Sequence, residues 1–271
     1  MTSLAVLIAT YSRDEPAFLE AALSSVLEQH LTIDHVIHVY LGIDGPIGTE
    51  LEAIIDRFSS RLHCIVRSPV NEGLAATLNK LISHLGDEPF VFRMDADDLS
   101  LPQRFQRQID FMREHSDVDI VGTDITEWDR TTDRRRLVVF ARDHKDAIRK
   151  ISRRVPVAHP TVCFRRRVFD IVPQYPMVSG NEDIAMWSEC LLKGLRFGNV
   201  HEPLLQFTIN ASFWSRRSFS KALSEFKCYV KVIWHLHGFT WLYIYPFARL
   251  LVRVSPRSVS KFLYDSSARG G

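Results

Sequence analysis

The chain has 271 residues, 46% hydrophobic and 24% charged, a composition that fills a sizeable core and excludes a disordered or low-complexity protein. Its formal net charge of +2 hides a division: residues 214–271 hold 10 Lys and Arg against 2 Asp and Glu, leaving 24 against 30 for residues 1–213. Only that C-terminal segment has the charge to meet an anionic partner.

Taken in chain order, Leu4–Thr10 is an apolar run suited to a buried parallel strand. The start, Met1-Thr2-Ser3-Leu4, has neither the basic nor the long apolar region of a secretory signal, and a cytoplasmic location is expected. Pro16 fits the first turn of a helix whose Phe18, Leu19, Ala22, Leu23, Val26 and Leu27 share one stripe. Strands are predicted at His35–Ile43, Leu62–Arg67 and Phe90–Met94, separated by helices at Gly48–Phe58 and Gly73–Leu85. After Pro102 the pattern gives a helix to about Glu114, a strand over Val118–Thr126, a polar Arg-rich turn (Asp129–Arg136) and then Leu137–Phe140. Helices follow at Asp143–Arg153 and Asp183–Lys193, strands near Thr161–Phe164 and Leu204–Thr208, and a long helix from Arg216 to His237. Such alternation predicts an α/β fold with a mostly parallel central sheet and helices on both faces. Cys64, Cys163, Cys190 and Cys228 form no CxxC pair and read as reduced, mostly buried thiols. No apolar run reaches the ~18–20 residues of a spanning helix.

Ligands of an open parallel sheet sit past the carboxyl ends of its strands. Thr10-Tyr11 follows the first predicted strand, Asp44-Gly45 the second, Asn71-Glu72-Gly73 the third and Asp95–Asp98 the fourth, so four strands deliver polar residues to one edge. In extended geometry Asp95 and Asp97 point to one side of the chain. Carboxylates held that close repel unless a cation joins them, and hard oxygen ligands suit Mg²⁺ or Mn²⁺ bridging substrate phosphates. The bland alternative is a solvated turn in which Asp98 or Ser100 caps the helix after Pro102. For a bare Asp-x-Asp that alternative has the higher prior; the apolar strand upstream makes the metal reading competitive.

The wider pattern decides between them. Val6-Leu7-Ile8-Ala9-Thr10-Tyr11-Ser12-Arg13, Asp44-Gly45, Asn71-Glu72-Gly73 with Asn79, the Asp95–Asp98 cluster, His159-Pro160-Thr161, and Glu182-Asp183 followed by Trp187 together resemble a family-2 glycosyltransferase of the GT-A fold. The resemblance implies that Thr10, Tyr11 and Arg13 line a nucleotide pocket and that Asp44 accepts a hydrogen bond from the base, as the N3–H of uracil or thymine would offer. It implies that Asn71, Gly73 and Asn79 lie along the nucleotide-sugar, that Asp95 and Ala96 contact the donor, and that Asp97 and Asp95 hold Mn²⁺ or Mg²⁺. Asp183 would be the catalytic base with Glu182 beside it, and His159 and Trp187 would lie on the acceptor side. Two departures stand out: Leu78 occupies a position where members often carry Arg, leaving Arg67 as a substitute phosphate or base contact, and no Gln-x-x-Arg-Trp motif follows Asp183. The second departure favours single-sugar transfer over polymerisation.

The implied activity moves a sugar from a nucleotide-diphosphate donor, UDP-linked if Asp44 reads the base, to a hydroxyl of a glycan or lipid-linked acceptor in cell-surface polysaccharide biosynthesis. One base and direct displacement would invert the anomeric carbon. Bland readings stand beside three of these residues: acids at 182–183 also suit a helix N-terminus, Trp187 also suits a core, and His159 also suits a bonded loop. Arg165-Arg166-Arg167 reads as a solvated face.

The organisation expected is a catalytic domain over residues 1–213, with a nucleotide-binding half (1–100) and an acceptor half (101–213), and a basic aromatic-rich helical tail over 214–271. Within Phe239–Tyr264, aromatic and aliphatic residues interleave with Arg249, Arg253, Arg257 and Lys261, and Pro246 and Pro256 divide the stretch into short helices. This composition suits a peripheral contact at the inner face of the membrane. Two competing readings are weaker. A sugar-nucleotide-forming nucleotidyltransferase would open on a Gly-rich phosphate loop, whereas Thr10–Arg13 contains no glycine. A non-catalytic membrane or nucleic-acid binding module leaves the four aligned strand ends unexplained, and no nucleic-acid partner is expected.

Overall fold

The computed structural model describes residues 2–32, 35–178, 180–209 and 219–254. Strands β1 (Thr2–Tyr11), β2 (His35–Asp44), β3 (Cys64–Ser68) and β4 (Phe90–Asp95) are parallel, in the order β3-β2-β1-β4. Helices α1 (Pro16–Leu27), α2 (Thr49–Phe58) and α3 (Leu74–Ile82) connect them. Alternation along β1 explains why both faces are covered. Leu4, Val6 and Ile8 pack with Leu19, Leu23 and Val26 of α1 and Leu51 and Ile55 of α2. Ala5 and Leu7 face the other way, with Leu78 and Leu81 of α3. Each such leucine, fully buried, contributes about 1.5–3 kcal/mol of transfer free energy.

The sheet continues past β4 through β8 (Cys163–Arg165), β6 (Ile120–Asp129) and β9 (Phe197–Ile209) to β5 (Leu99–Ser100), and β7 (Arg134–Val138) forms a hairpin with β6. β8 is antiparallel to β4 and β6, β9 is parallel to β6, and β5 is antiparallel to β9. Helices α4 (Arg104–Glu114), α5 (His144–Lys150), α6 (Val168–Ile171) and α7 (Glu182–Leu192) pack around this half. After the undescribed stretch, α8 (Phe219–His237) and α9 (Ile244–Val254) form an antiparallel-type pair: Phe226 meets Phe247 at 4.9 Å and Arg249 Nε donates to Glu225 Oε1 at 2.6 Å. Lys231 of α8 bonds Glu189 of α7 at 2.7 Å, so the pair is fastened to the part of the fold that carries α7.

Several expectations are corrected. The Arg-rich turn is shorter than predicted, because Arg134–Arg136 already belong to β7, where Arg136 pairs across to Glu127 at 2.5 Å. The turn itself rests on Asp133 at φ 52°. β9 begins at Phe197, seven residues before the predicted Leu204, and accommodates Pro203 at a register shift against Asp124. Pro246 sits inside the first turn of α9, where its missing N–H costs nothing, and does not break the helix. The arginines at 165–167 are not simply solvated: Arg165 donates to Val118 O at 2.6 Å and Arg167 to Asp119 at 2.7 Å. The domain boundary at 213/214, the Arg216-Arg217 pair, Pro256, Arg257 and Lys261 lie outside the described residues. Among those described, no helix is long and apolar enough to cross a membrane.

Candidate active site

The carboxyl edge of the parallel strands is built from two kinds of loop. After β1, Asp14 accepts from Thr10 Oγ1 at 2.9 Å and from Tyr11 N at 3.1 Å, folding the loop back on itself and leaving Arg13 exposed beside it. After β2, buried Asp44 spans to the next loop, accepting from Glu72 N at 2.7 Å and Gly73 N at 2.9 Å. Asn71 Nδ2 closes the same junction by donating to Asp44 O at 3.1 Å. Gly45 and Gly73 are required here, with φ at +86° and +92°; a Cβ on Gly45 would lie 2.7 Å from Asn71 N. Gly73 then caps α3, whose N-terminal amides face this edge.

The loop after β4 carries the acids. Asp95, Asp97 and Asp98 each offer a carboxylate oxygen within 4.8 Å of the others. Asp98 does not cap α4, which begins at Arg104 with no side-chain cap; its Oδ1 instead accepts from Thr208 N of β9 at 2.9 Å. Its Oδ2 is buried without a hydrogen-bond partner. Burial, then Asp95 and Asp97, hold the Asp98 carboxyl well above its ordinary range. A divalent cation is the group that would resolve this: it supplies the missing partner and lets three acids ionise together. The donor set fits Mg²⁺ or Mn²⁺, being all hard oxygen.

One buried cation already serves the cluster. Arg93, 1% exposed, donates Nη2 to Asp95, while its Nε and Nη1 have no partner. Burial disfavours its charge, but Asp95 together with Tyr175 and Asp98 more than compensates and holds it above its usual value. The same guanidinium acts on Glu182, Asp183, Tyr175 and His159, so it connects the acids of β4 with those of α7.

Glu182 and Asp183 occupy the first turn of α7. Both are half-buried, and burial raises both; Asp183 next to it raises Glu182 further, and Asp95 also contributes. Asp183 Oδ1 accepts from Ile184 N at 2.7 Å, which partly offsets the rise, while Glu225 of α8 adds to it and Arg249 of α9 opposes it. A carboxylate raised this way is a better proton acceptor than a solvated one.

His159 Nε2 lies 3.0 Å from Tyr175 OH, and burial together with Arg93 keeps its imidazole neutral. Trp187 is 0% exposed and packs edge-on against His159 and Phe197, so it is a core residue behind the acids. Asn79 clamps the loop carrying Tyr175: its Oδ1 accepts from Tyr175 N at 2.7 Å and its Nδ2 donates to Tyr175 O at 3.0 Å. Leu78 is fully buried, and Arg67 is engaged by Glu52 through two 2.8 Å bonds.

The sequence pattern of glycosyl transferase family 2 matches residues 5–171, which carry all four strand-end loops. The chain belongs to this family. Over 268 residues it is 29% identical to the amylovoran biosynthesis glycosyltransferase AmsE of Erwinia amylovora, covering 98% of this chain and 99% of that one. It is 27% identical to an Escherichia coli UDP-Gal:alpha-D-GlcNAc-diphosphoundecaprenol beta-1,3-galactosyltransferase, covering 97% and 96%. Its fold is that of S. aureus TarS residues 1–349 in complex with UDP-GlcNAc (TM-score 0.63, 14% identity, 96% of this chain and 83% of that one). It is also that of the mannosyltransferase PcManGT of Pyrobaculum calidifontis in complex with GDP-Man and Mn²⁺ (TM-score 0.60, 14% identity, 98% and 79%). This family-2 glycosyltransferase therefore has the GT-A architecture its motifs imply.

In the family-2 frame, the structure brings Thr10, Tyr11, Asp44, Asn71, Gly73, Asp95, Ala96 and Asp97 to one sheet edge, and electrostatics couples Glu182 and Asp183 to it through Arg93. Sequence reasoning missed Arg93, Tyr175 and the Glu225–Arg249 pair. Arg93 had a visible signal, a lone charge inside the apolar run Phe90-Val91-Phe92-Arg93-Met94. The other two had none, since their partners are distant in sequence.

Proposed function

We propose that this glycosyltransferase moves a single sugar from a UDP-linked donor to a hydroxyl of a lipid-linked glycan, with inversion, in cell-surface polysaccharide assembly. The observation that carries this reading is the trio Asp95, Asp97 and Asp98, with oxygens within 4.8 Å, facing the acids of α7. Asp97 and Asp95 would hold Mn²⁺ or Mg²⁺, and such an ion supplies charge neutralisation for a departing diphosphate. The chain's own residues do the rest. Thr10, Tyr11 and Arg13 on one side and Asp44 with the Asn71–Gly73 turn on the other form the nucleotide cradle. Asp183 takes the proton of the attacking hydroxyl, Glu182 adds negative potential beside it, and His159 stands as a neutral acceptor-side group. Support comes from the E. coli relative, whose name specifies a UDP-sugar and a diphosphoundecaprenol acceptor, and from the UDP-GlcNAc and Mn²⁺ complexes of the two structural neighbours.

A peripheral membrane contact through 239–264 fits the same acceptor class. Phe239, Trp241, Ile244, Phe247 and Leu251 are exposed along the α8–α9 corner, Phe239 by 93%. Arg249 does not contribute a cation to that surface, because it pairs with Glu225.

The test is a nucleotide-release assay with purified full-length protein, a panel of sugar nucleotides and an undecaprenyl-diphosphate-sugar acceptor. Nucleoside diphosphate should appear, with a product of inverted configuration, only with Mn²⁺ or Mg²⁺, and Asp97→Asn should abolish the metal response. Turnover unaffected by a chelator, or pyrophosphate released from nucleoside triphosphate instead, would overturn the reading.

A further inference from the structure

A second group of metal-ligating side chains lies at the opposite edge of the same sheet. His38 is near the start of β2, His63 directly precedes β3, and Glu88 precedes β4. Ala5 of β1 pairs with His38 in the sheet, and its small side chain leaves His38 and Tyr40 room to reach Glu88 across β1. His38 Nδ1 is 2.7 Å from Glu88 Oε1, and the Tyr40 hydroxyl donates to the same oxygen at 2.7 Å. The His63 ring stacks on that of His38 with centroids 3.9 Å apart. One ligand atom from each of His38, His63 and Glu88 lies within 4.8 Å of the others. Glu88 is only 1% exposed, yet its Oε2 has no hydrogen-bond partner. A buried acceptor with no donor is costly, so this oxygen points to a missing electrophile.

We infer that His38, His63 and Glu88 form a structural site for a Zn²⁺-class ion, separate from the acids at the carboxyl edge. Two imidazoles and one carboxylate match the donor preference of Zn²⁺, whereas Mg²⁺ and Mn²⁺ favour the all-oxygen cluster. Tetrahedral coordination at ~2.0–2.1 Å needs donors about 3.3 Å apart and an ion in the plane of each imidazole. Binding would therefore part His38 Nδ1 from Glu88 Oε1, now 2.7 Å apart, and swing exposed His63 out of its stack on His38. Six residues of strand separate His38 from Asp44, about 20 Å at the usual rise, so the ion would staple strand edges and take no part in transfer. It would tie the segments leading into β3 and β4 to β2. This inference does not rest on the proposed function.

The test uses tag-free full-length protein stripped with chelator, then titrated with ZnCl₂ alone by calorimetry and with CoCl₂ alone by visible absorption. Asp97→Asn should bind one Zn²⁺ and wild type that same ion beside any held by the acid cluster, and Co²⁺ should give the visible bands of a low-symmetry four-coordinate site. His63→Ala, at an exposed position with folding checked by circular dichroism, should weaken binding by ~10–100-fold or more and remove those bands. His38→Ala should do the same. No stoichiometric Zn²⁺ binding, wild-type affinity in both histidine variants, or loss of the site in Asp97→Asn would overturn the inference.

Discussion

The rim made by the loops after β1 and β2 and the wall of acids around Arg93 use carboxylates in opposite ways. On the rim, Asp14 and Asp44 are satisfied by loop donors, Asp44 alone taking two backbone N–H groups at 2.7 and 2.9 Å. Those acids spend their charge on shape. On the wall, Asp95, Asp98, Glu182 and Asp183 face one another around Arg93, and three of them sit above their ordinary protonation range. Under the proposed function, those acids hold charge in reserve for a cation and a proton. The difference teaches which substitutions should cost stability and which should cost rate.

Substitutions can break or sharpen that contrast. The largest effect is expected from Asp183→Asn, which should lower turnover by ~10²–10⁴-fold while leaving the unfolding midpoint near wild type. Rates near wild type would return Asp183 to the role of a helix-terminus acid. Arg93→Met should be the most damaging change to the fold, about 3–5 kcal/mol by urea unfolding, because it removes the buried partner of the acid cluster. Added Mn²⁺ should recover part of that loss; equal loss with and without Mn²⁺ would separate Arg93 from the metal site. On the rim, Gly45→Ala should cost about 1–3 kcal/mol, since it forces φ of +86° on a residue whose Cβ meets Asn71 N. Its kcat should survive with donor KM raised, and the reverse pattern would contradict a purely shaping role.

A subtler effect concerns pH. Asp183 must be ionised to accept a proton, and burial and Glu225 raise its pKa while Arg249 opposes them. Arg249→Met should therefore move the acid limb of kcat/KM to higher pH, and Glu225→Gln should move it lower. Coincident limbs in all three proteins would show that α8 and α9 do not reach the chemistry. The smallest effect belongs to the surface: Phe239→Ser with Trp241→Ser should weaken co-sedimentation with anionic vesicles and leave transfer to a water-soluble acceptor unchanged.

Much of the rim was legible before any coordinates. β1, β2, β4 and α1 fall within about two residues of their predicted spans, because local periodicity and Pro16 dictate them. The wall was legible only in part. Glu182-Asp183 reads as a helix start from the sequence, but its coupling to Asp95 depends on a tertiary approach of the first turn of α7 to the end of β4 that periodicity does not encode. Asn79 shows the same limit: its residue type fits a ligand contact, yet its amide is taken by the Tyr175 backbone, 96 positions away. β5, two residues long, has no periodicity to detect, and the first half of β9 carries Pro203, which the strand accommodates only through the register shift opposite Asp124.

The short strand β5 also ties the acid loop to a part of the chain that is made late. The segment from Asp95 to Ser100 is fixed at its far end by β9, through Leu99–Ser100 and through Asp98 to Thr208, a contact spanning 110 positions. On a ribosome adding ~5–20 residues per second, that partner emerges roughly 5–20 s after the acids themselves. Until then a nascent chain can complete its first four strands while the acid loop still lacks its far anchor.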